Sequence, residues 1–235
     1  MATRYIRTGA VQYALLFQAE SLLSSYANGA TIDSWQDLSG NGRNASNTGT
    51  ARPTFVTGLL NGYPAVRFTT NQFLQFTRFS QLGAYACLVV GKKDSAGVSL
   101  VTLGDRDSTR LVYNQMGFNY TDSKYYTNRD NQTVYTQSSS TVNIYSSYGV
   151  YGEYWQAGLT TNTYYSPTGS VAGTMSGGTY EPGTQPTVLN NIGSRLSSAG
   201  SVYTNANICE IRLLQNPTTA IVNAEIAALK AKYGL

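Results

Sequence analysis

The residues able to do chemistry in this chain are few, and their spacing leaves them unpaired. Histidine is absent from the 235 residues, which removes Ser-His-Asp and Cys-His catalysis, imidazole-ligated zinc and imidazole pH switching together. Hydrolysis of a glycosidic bond needs two carboxylates flanking it. The nearest such pair in sequence, Asp105 and Asp107 around Arg106 and after Gly104, reads as a charged hairpin turn with an internal counter-ion. Glu153 precedes Trp155 on an aromatic run, and Glu210 shares a strand face with Arg212. Neither has a carboxylate partner in sequence, so an ion pair or a ligand hydrogen bond is the expected role. No catalytic residue is assigned, and the protein is expected not to be an enzyme; a polysaccharide-degrading enzyme with an unrecognised site is the second alternative.

Binding chemistry is better supplied. Aromatic faces stack on the apolar faces of sugar rings while neighbouring amides and carboxylates bind hydroxyls. More than half of the 19 tyrosines fall between Tyr113 and Tyr165, with Tyr145, Tyr148, Tyr151, Tyr154 and Trp155 closely spaced. Tyr120, with Asn119, Asp122, Asn128 and Asp130 nearby, forms a polar-aromatic loop. Tyr120, Asp122, Tyr148, Tyr151, Tyr154 and Trp155 are therefore the candidate glycan- or partner-binding residues. Core filling or sheet cover competes with that role for every strand aromatic. Arg4, Tyr5 and Arg7 lie in a segment, residues 1–14, read as an attachment arm.

Asp37, Ser39 and Asn41 alternate with Leu38, Gly40 and Gly42, a pattern in which side-chain oxygens satisfy backbone amides while glycine takes positive φ. This is expected to be a structural turn, with a calcium site on Asp37, Asn41 and loop carbonyls as the alternative. One carboxylate is thin support for that ion, so neither metal nor other cofactor is expected.

The elements that must position these groups are strands. Hydrophobic residues make up 41% and charged residues 12%, with 23 glycines, a composition suited to short strands joined by tight turns. Apolar-alternating runs occur at Ala65 to Phe68, Phe73 to Thr77, Tyr85 to Val90, Val98 to Leu103, Leu111 to Phe118, Val142 to Trp155, Thr187 to Ile192 and Ile208 to Leu214. Ala19 to Tyr26 reads as a short helical turn, and Ser166 to Gln185 as a long surface loop or irregular hairpin. Near the end the period changes: Asn216 can cap, Pro217 suits a first turn, and Val222, Ile226, Leu229 and Tyr233 follow at helical spacing before Gly234. An amphipathic helix is expected over 217–233. Nothing suggests a split, so residues 1–235 are read as one domain.

Cys87 and Cys209 each sit in an apolar run, where a buried free thiol is the simpler reading and a clamp between strands the other. The net charge of +4 comes from scattered residues, Lys92 and Lys93 being the only adjacent basic pair; nucleic acid is not an expected partner. Arg4 and Arg7 before Ala10 to Phe17 imitate a secretory leader, but Gln12, Gln18 and Glu20 and the lack of a cleavage site argue against one. No stretch approaches the length of a membrane span.

The runs Trp35-Gln36-Asp37-Leu38-Ser39-Gly40-Asn41-Gly42-Arg43-Asn44-Ala45, Arg52-Pro53-Thr54-Phe55 and Leu60-Asn61-Gly62-Tyr63-Pro64-Ala65-Val66-Arg67-Phe68 resemble bacterial and phage laminin G-like, concanavalin A-like jelly-roll domains. The ending, Ile208-Cys209-Glu210-Ile211-Arg212-Leu213-Leu214 and then a helix closing in Lys232-Tyr233-Gly234-Leu235, looks like that family's last strand and terminal helix. Asp94 to Gly183 matches no motif of it. The resemblance implies an all-β, two-sheet antiparallel jelly-roll β-sandwich with a short N-terminal helical turn and a C-terminal helix, frequent glycan binding, and a common place in surface proteins and phage virions. The expected function is a non-catalytic virion-associated structural protein, a capsid decoration or tail component, that also binds surface glycans. The alternative is a carbohydrate-binding adhesin or lectin module outside any virion. Expected partners are other virion proteins or further copies of the chain, with glycans besides, and the expected location is a virion surface or the extracellular space.

Overall fold

The computed structural model describes residues 11–69, 71–81, 83–94, 100–106, 113–118, 124–130, 135–143, 147–156, 162–177, 187–193 and 205–235. β1 (Gln12–Gln18) runs into a 3-10 turn at Ala19–Leu22, and β2 (Ser34–Trp35) and β3 (Ala45–Ser46) bracket the Asp37 turn. There follow β4 (Thr54–Leu60), β5 (Tyr63–Phe68), β6 (Leu74–Gln81), β7 (Tyr85–Lys93), β8 (Leu100–Arg106), β9 (Tyr113–Phe118), β10 (Lys124–Asp130) and β11 (Tyr135–Asn143). The remaining elements are β12 (Gly149–Trp155), β13 (Asn162–Ser166), β14 (Gly169–Ala172), β15 (Thr174–Gly177), β16 (Thr187–Ile192), β17 (Ala206–Gln215) and α1 (Thr219–Tyr233).

The strands form two antiparallel sheets, a β-sandwich of the jelly-roll kind. One has eight strands in the order β14-β13-β12-β7-β17-β5-β4, with β1 also on β17. The other has nine, in the order β15-β11-β10-β9-β8-β16-β6-β3-β2. β17 is the keystone of the first sheet: β7 runs along one side of it, while β5 takes Ala206–Ile208 and β1 takes Glu210–Gln215 on the other.

Between the sheets lies the larger core, including Leu15, Phe17, Trp35, Phe55, Phe68, Tyr85, Val89, Trp155, Leu189 and Ile211. A second core lies on the outer face of the eight-stranded sheet, where Val222, Leu229 and Tyr233 of α1 pack on Ala86, Leu88, Val90, Val150, Tyr154 and Leu214. The central strands are thus covered on both faces, and β12 is buried at every position. Burying so much apolar area, worth about 25 cal/mol per Å², is the chief stabilising term.

Several local expectations change. Gln12 to Ala14, placed in the arm, belong to β1 and its ladder with β17; Arg4, Tyr5 and Arg7 lie outside the described residues. The Val142 to Trp155 run divides between β11 in one sheet and β12 in the other. Asp105 sits in strand β8 opposite Asn114 rather than in a turn, and Asp107 lies outside the described residues. The Ser166 to Gln185 stretch contains β14, which forms a hairpin with β13, and β15, which extends the other sheet. Thr218, not Asn216, caps α1, its hydroxyl accepting from the Ile221 amide at 3.3 Å. Asn216 takes a left-handed φ of 48°, which redirects the chain from strand to helix. Gly234 ends the helix in the left-handed conformation, as its place in the sequence predicts. Among the described residues no helix is long and apolar enough to cross a membrane.

Candidate binding surface

The predicted aromatic cluster is divided by the strand alternation of β12. Tyr151 and Trp155 join the core between the sheets, while Tyr154 joins the core beneath α1. Their polar atoms are engaged: the Tyr151 hydroxyl donates to Ser147 O at 2.9 Å, the Tyr154 hydroxyl to Pro217 O at 2.9 Å, and Trp155 Nε1 to Glu153 Oε2 at 3.2 Å. With Trp155 0% exposed and the two tyrosines 4%, these rings are buried instead of being offered to a ligand. The reason is the place of β12 inside a sheet covered on both faces, so that either phase of the alternation leads into a core. Tyr120 and Asp122 lie outside the described residues. Tyr148 alone of the cluster is both described and partly open to solvent.

Tyr148 stands at the end of an outward-facing row that the sequence conceals. Asn207 on β17 is directly opposite Arg67 on β5 and directly opposite Lys92 on β7. Three adjacent strands therefore carry Arg67, Asn207 and Lys92 side by side, the Cα atoms of Arg67 and Lys92 roughly 10 Å apart at two strand spacings. Gly91 and Gly149 are opposite each other on β7 and β12, which brings Tyr148, one residue earlier, beside Lys92, whose Nζ lies 5.9 Å from the ring centroid. Arg67 Nε donates to Asn207 Oδ1 at 2.9 Å, and Asn207 Nδ2 donates to Asp94 Oδ1 at 2.7 Å. Burial first, and then the nearby Cys209 and Asp94, push the Tyr148 hydroxyl up to about 12, against the pull of Arg67. It stays a neutral donor at physiological pH.

The backbone beneath this row is unusual. The β7–β17 ladder shifts register between Ile208 and Glu210, and a Cβ on Gly91 would stand 2.6 Å from the Asn207 carbonyl oxygen. Only glycine admits β17 so closely, and the bulge that results re-aims the side chains that follow. Cys209 and Glu210 both turn toward α1. The half-buried Tyr165 belongs to the same outward face, opposite Gly152 of β12.

Carboxylates occupy two further polar centres. Glu153, buried between the sheets, accepts from Tyr85 Oη at 3.2 Å, Trp155 Nε1 at 3.2 Å and Asn162 Nδ2 at 3.3 Å. Glu210, beneath α1, takes Arg212 Nε at 2.6 Å, Lys232 Nζ at 2.8 Å, the Tyr233 hydroxyl at 2.9 Å and Gln18 Nε2 at 3.1 Å. Arg212 NH1 also pairs with Glu225, which in turn accepts from the Tyr13 hydroxyl at 2.8 Å. Burial pushes the Glu210 carboxyl up, but Arg212 and Lys232 outweigh it and hold the group below its usual value. These side chains tie β1, β17 and α1 together and leave no free carboxylate facing solvent there.

The Asp37 turn is built as its sequence suggests. Its Oδ1 accepts from Leu16 N and Ser39 N, both at 3.0 Å, and its Oδ2 from the Ser39 hydroxyl at 2.7 Å and Arg43 N at 3.1 Å. Asn41 and Arg43 fasten the turn to β1 through the Tyr13 and Ala14 carbonyls. Both Asp37 oxygens are thus committed to N–H and O–H donors. Among the described residues no three His, Cys, Asp or Glu side chains gather as a metal-binding group. Cys87 and Cys209 are both free and buried, in the two separate cores on opposite faces of the sheet.

No family model and no curated protein matches the chain. Solved structures do resemble it. The binding domain of Paraclostridial Mosquitocidal Protein 1 superposes with a TM-score of 0.53 at 12% identity, over 95% of this chain and 52% of that one. A GH54 α-L-arabinofuranosidase mutant soaked with 4-nitrophenyl α-L-arabinofuranoside gives 0.51 at 12% identity, over 94% and 59%. Tailspike protein 2 of the Escherichia coli O157:H7 bacteriophage CAB120 gives 0.50 at 9% identity, over 86% and 28%. The chain thus spans between 28% and 59% of these three proteins, and at such identities the likeness is one of fold.

Proposed function

We propose that this protein is a non-catalytic glycan-recognition module that binds sugars on the outward row of its eight-stranded sheet. The observation that carries the reading is the alignment of Arg67, Asn207 and Lys92 across three adjacent strands beside the partly open ring of Tyr148. A tyrosine face offers a platform for a sugar ring, and the Arg67 guanidinium and Lys92 ammonium beside it select hydroxyl geometry, with the buried Asn207 holding Arg67 in place. A glycosidase would need two carboxylates across an open cleft, whereas Glu153 and Glu210 are buried with donors of the protein around them.

Glycan-array binding by the purified protein tests this. Wild type should bind a defined set of glycans, and Tyr148→Ala should lose at least tenfold in affinity while staying cooperatively folded, with a modest fall in melting temperature from the packing its ring gives up. An array on which nothing binds would sink the reading. Incubation of bound glycans with the protein should release no new reducing ends; release would overturn the non-catalytic part. A place on a virion surface is part of the proposal, by way of the resemblance of the Trp35 to Ala45 and Ile208 to Leu235 segments. Detection of the chain on purified particles by immunogold would support it, and its absence from them would remove it.

A further inference from the structure

The charge along the outward row narrows the ligand class, an inference that rests on the glycan reading above. Arg67 uses Nε on Asn207, and its two terminal nitrogens have no hydrogen-bond or ion-pair partner among the described residues. Lys92 is likewise without a carboxylate there, its ammonium resting near the Tyr148 ring. Elsewhere on this face Arg212 is neutralised by Glu210 and Glu225, and Lys232 by Glu20 and Glu210. The only carboxylate in the row is Asp94, which accepts from Asn207 and offsets one of the two positive charges. The row therefore carries a surplus positive charge held in place by a relay of side chains, Asp94 orienting Asn207 and Asn207 orienting Arg67.

We infer that the glycan bound there is acidic, with a carboxylate-bearing sugar held between Arg67 and Lys92 while a neighbouring ring lies against Tyr148. Several features favour a carboxylate. A guanidinium whose Nε is fixed presents its remaining N–H groups as a planar fork, which matches the two coplanar oxygens of a carboxylate. Lys92 adds a second charge that needs no particular geometry. The spacing of roughly 10 Å between the two strands' Cα atoms leaves room for one anionic group between two long side chains reaching inward. Nothing in the row favours a neutral sugar over its charged counterpart, since a net positive row gains little from hydroxyls that water already serves.

An array printed with acidic glycans beside their carboxyl-reduced neutral forms, and with sulfated neutral glycans, tests the inference. Binding to acidic members, lost tenfold or more on carboxyl reduction and weakened by raising NaCl from 0.05 to about 0.5 M, is the expected result. Equal binding to the reduced forms overturns the acidic class and leaves the glycan reading standing. Binding to sulfated members alone overturns the carboxylate. No binding anywhere overturns both. Arg67→Lys keeps the charge and removes the fork, so it should weaken binding about tenfold. Lys92→Gln, which breaks no hydrogen bond, should weaken it with the melting temperature unchanged and should flatten the salt dependence. A Lys92→Gln protein that binds as tightly as wild type at low salt contradicts the inference.

Discussion

Arg212 on the central strand and Glu225 on the helix form an ion pair beneath α1, NH1 against Oε2, and Glu225 is 1% exposed. The pair shares its guanidinium with Glu210. Buried ion pairs of this kind do little for net stability compared with apolar side chains of the same volume, yet breaking one by removing a single partner is costly. Their effect is to fix where the helix sits.

Replacing one member should therefore be severe. Glu225→Ala leaves Arg212 and Tyr13 without their shared acceptor and is expected to lower unfolding free energy by about 3 kcal/mol, measured by urea titration. A loss below about 1 kcal/mol would mean that α1 is held by its apolar face alone.

The same cluster sets the acid limit. Burial raises the Glu210 carboxyl, Arg212 and Lys232 together lower it by more, and the net result is a value below the ordinary 4.5. A carboxyl depressed on folding contributes stability that is fully present above its unfolded value and is lost as pH falls through the folded one. Stability should hold near neutrality and decline below about pH 4.5. Glu210→Gln should be less stable at pH 7 and show a shallower decline, read from urea midpoints at pH 7, 4.5 and 3.

The thiols should be silent in the native state. Burial first, and then Glu153, push the Cys87 thiol well up, while burial and Glu210 push Cys209 up to about 12. Thiolate is the reactive form, so Ellman's reagent at pH 8 should label neither cysteine until urea is added, and then both. A raised thiol pKa contributes stability that is fully present below the unfolded value of 9.0 and is lost as pH climbs from there through the folded value of about 12 for Cys209.

Trp155→Ala should unfold the protein before it touches recognition. Removing a fully buried indole costs about 3 to 5 kcal/mol, and here it also strips Glu153 of a donor. The check is a melting curve alongside glycan binding for any fraction still folded; a fully stable variant that has lost binding would restore Trp155 to the ligand surface.

Asp37→Ala removes an acceptor for three backbone amides and a hydroxyl. A hydrogen bond to a charged group contributes about 1.5 to 3 kcal/mol, but water reaches the donors freed in this largely exposed turn, so a total loss of only about 3 kcal/mol is expected. Chelation should leave the wild-type melting temperature unchanged, whereas a drop on adding EDTA would reopen the calcium alternative.

Local chemistry was legible in the sequence where it is local. The Asp37 turn, the Gly234 helix stop and the bounds of β16 follow from residues close together in the chain. The face to which a strand side chain points did not follow. Alternation separates a buried from a wet face only when one face is wet, and α1 covers the outer face of β7, β12 and β17. That is why Tyr151, Tyr154 and Trp155 read as a surface cluster. Glu225 was missed for a related reason: a carboxylate at a buried helical position carries no apolar signal. The Arg67–Asn207–Lys92 row was illegible because its members come from β5, β17 and β7, brought level by register and by a bulge that no residue pattern announces.

The central strand of the eight-stranded sheet, β17, follows every other strand of that sheet in chain order. Its ladder with β1 connects residues such as Gln18 and Glu210, 192 positions apart. Contact order of this kind slows folding, since long loops must close before their contacts repay the entropy. During translation β1, β5 and β7 wait with unpaired edges until β17 leaves the ribosome. The nascent chain should therefore stay protease-sensitive until β17 has emerged, and then close the sheet in one cooperative step.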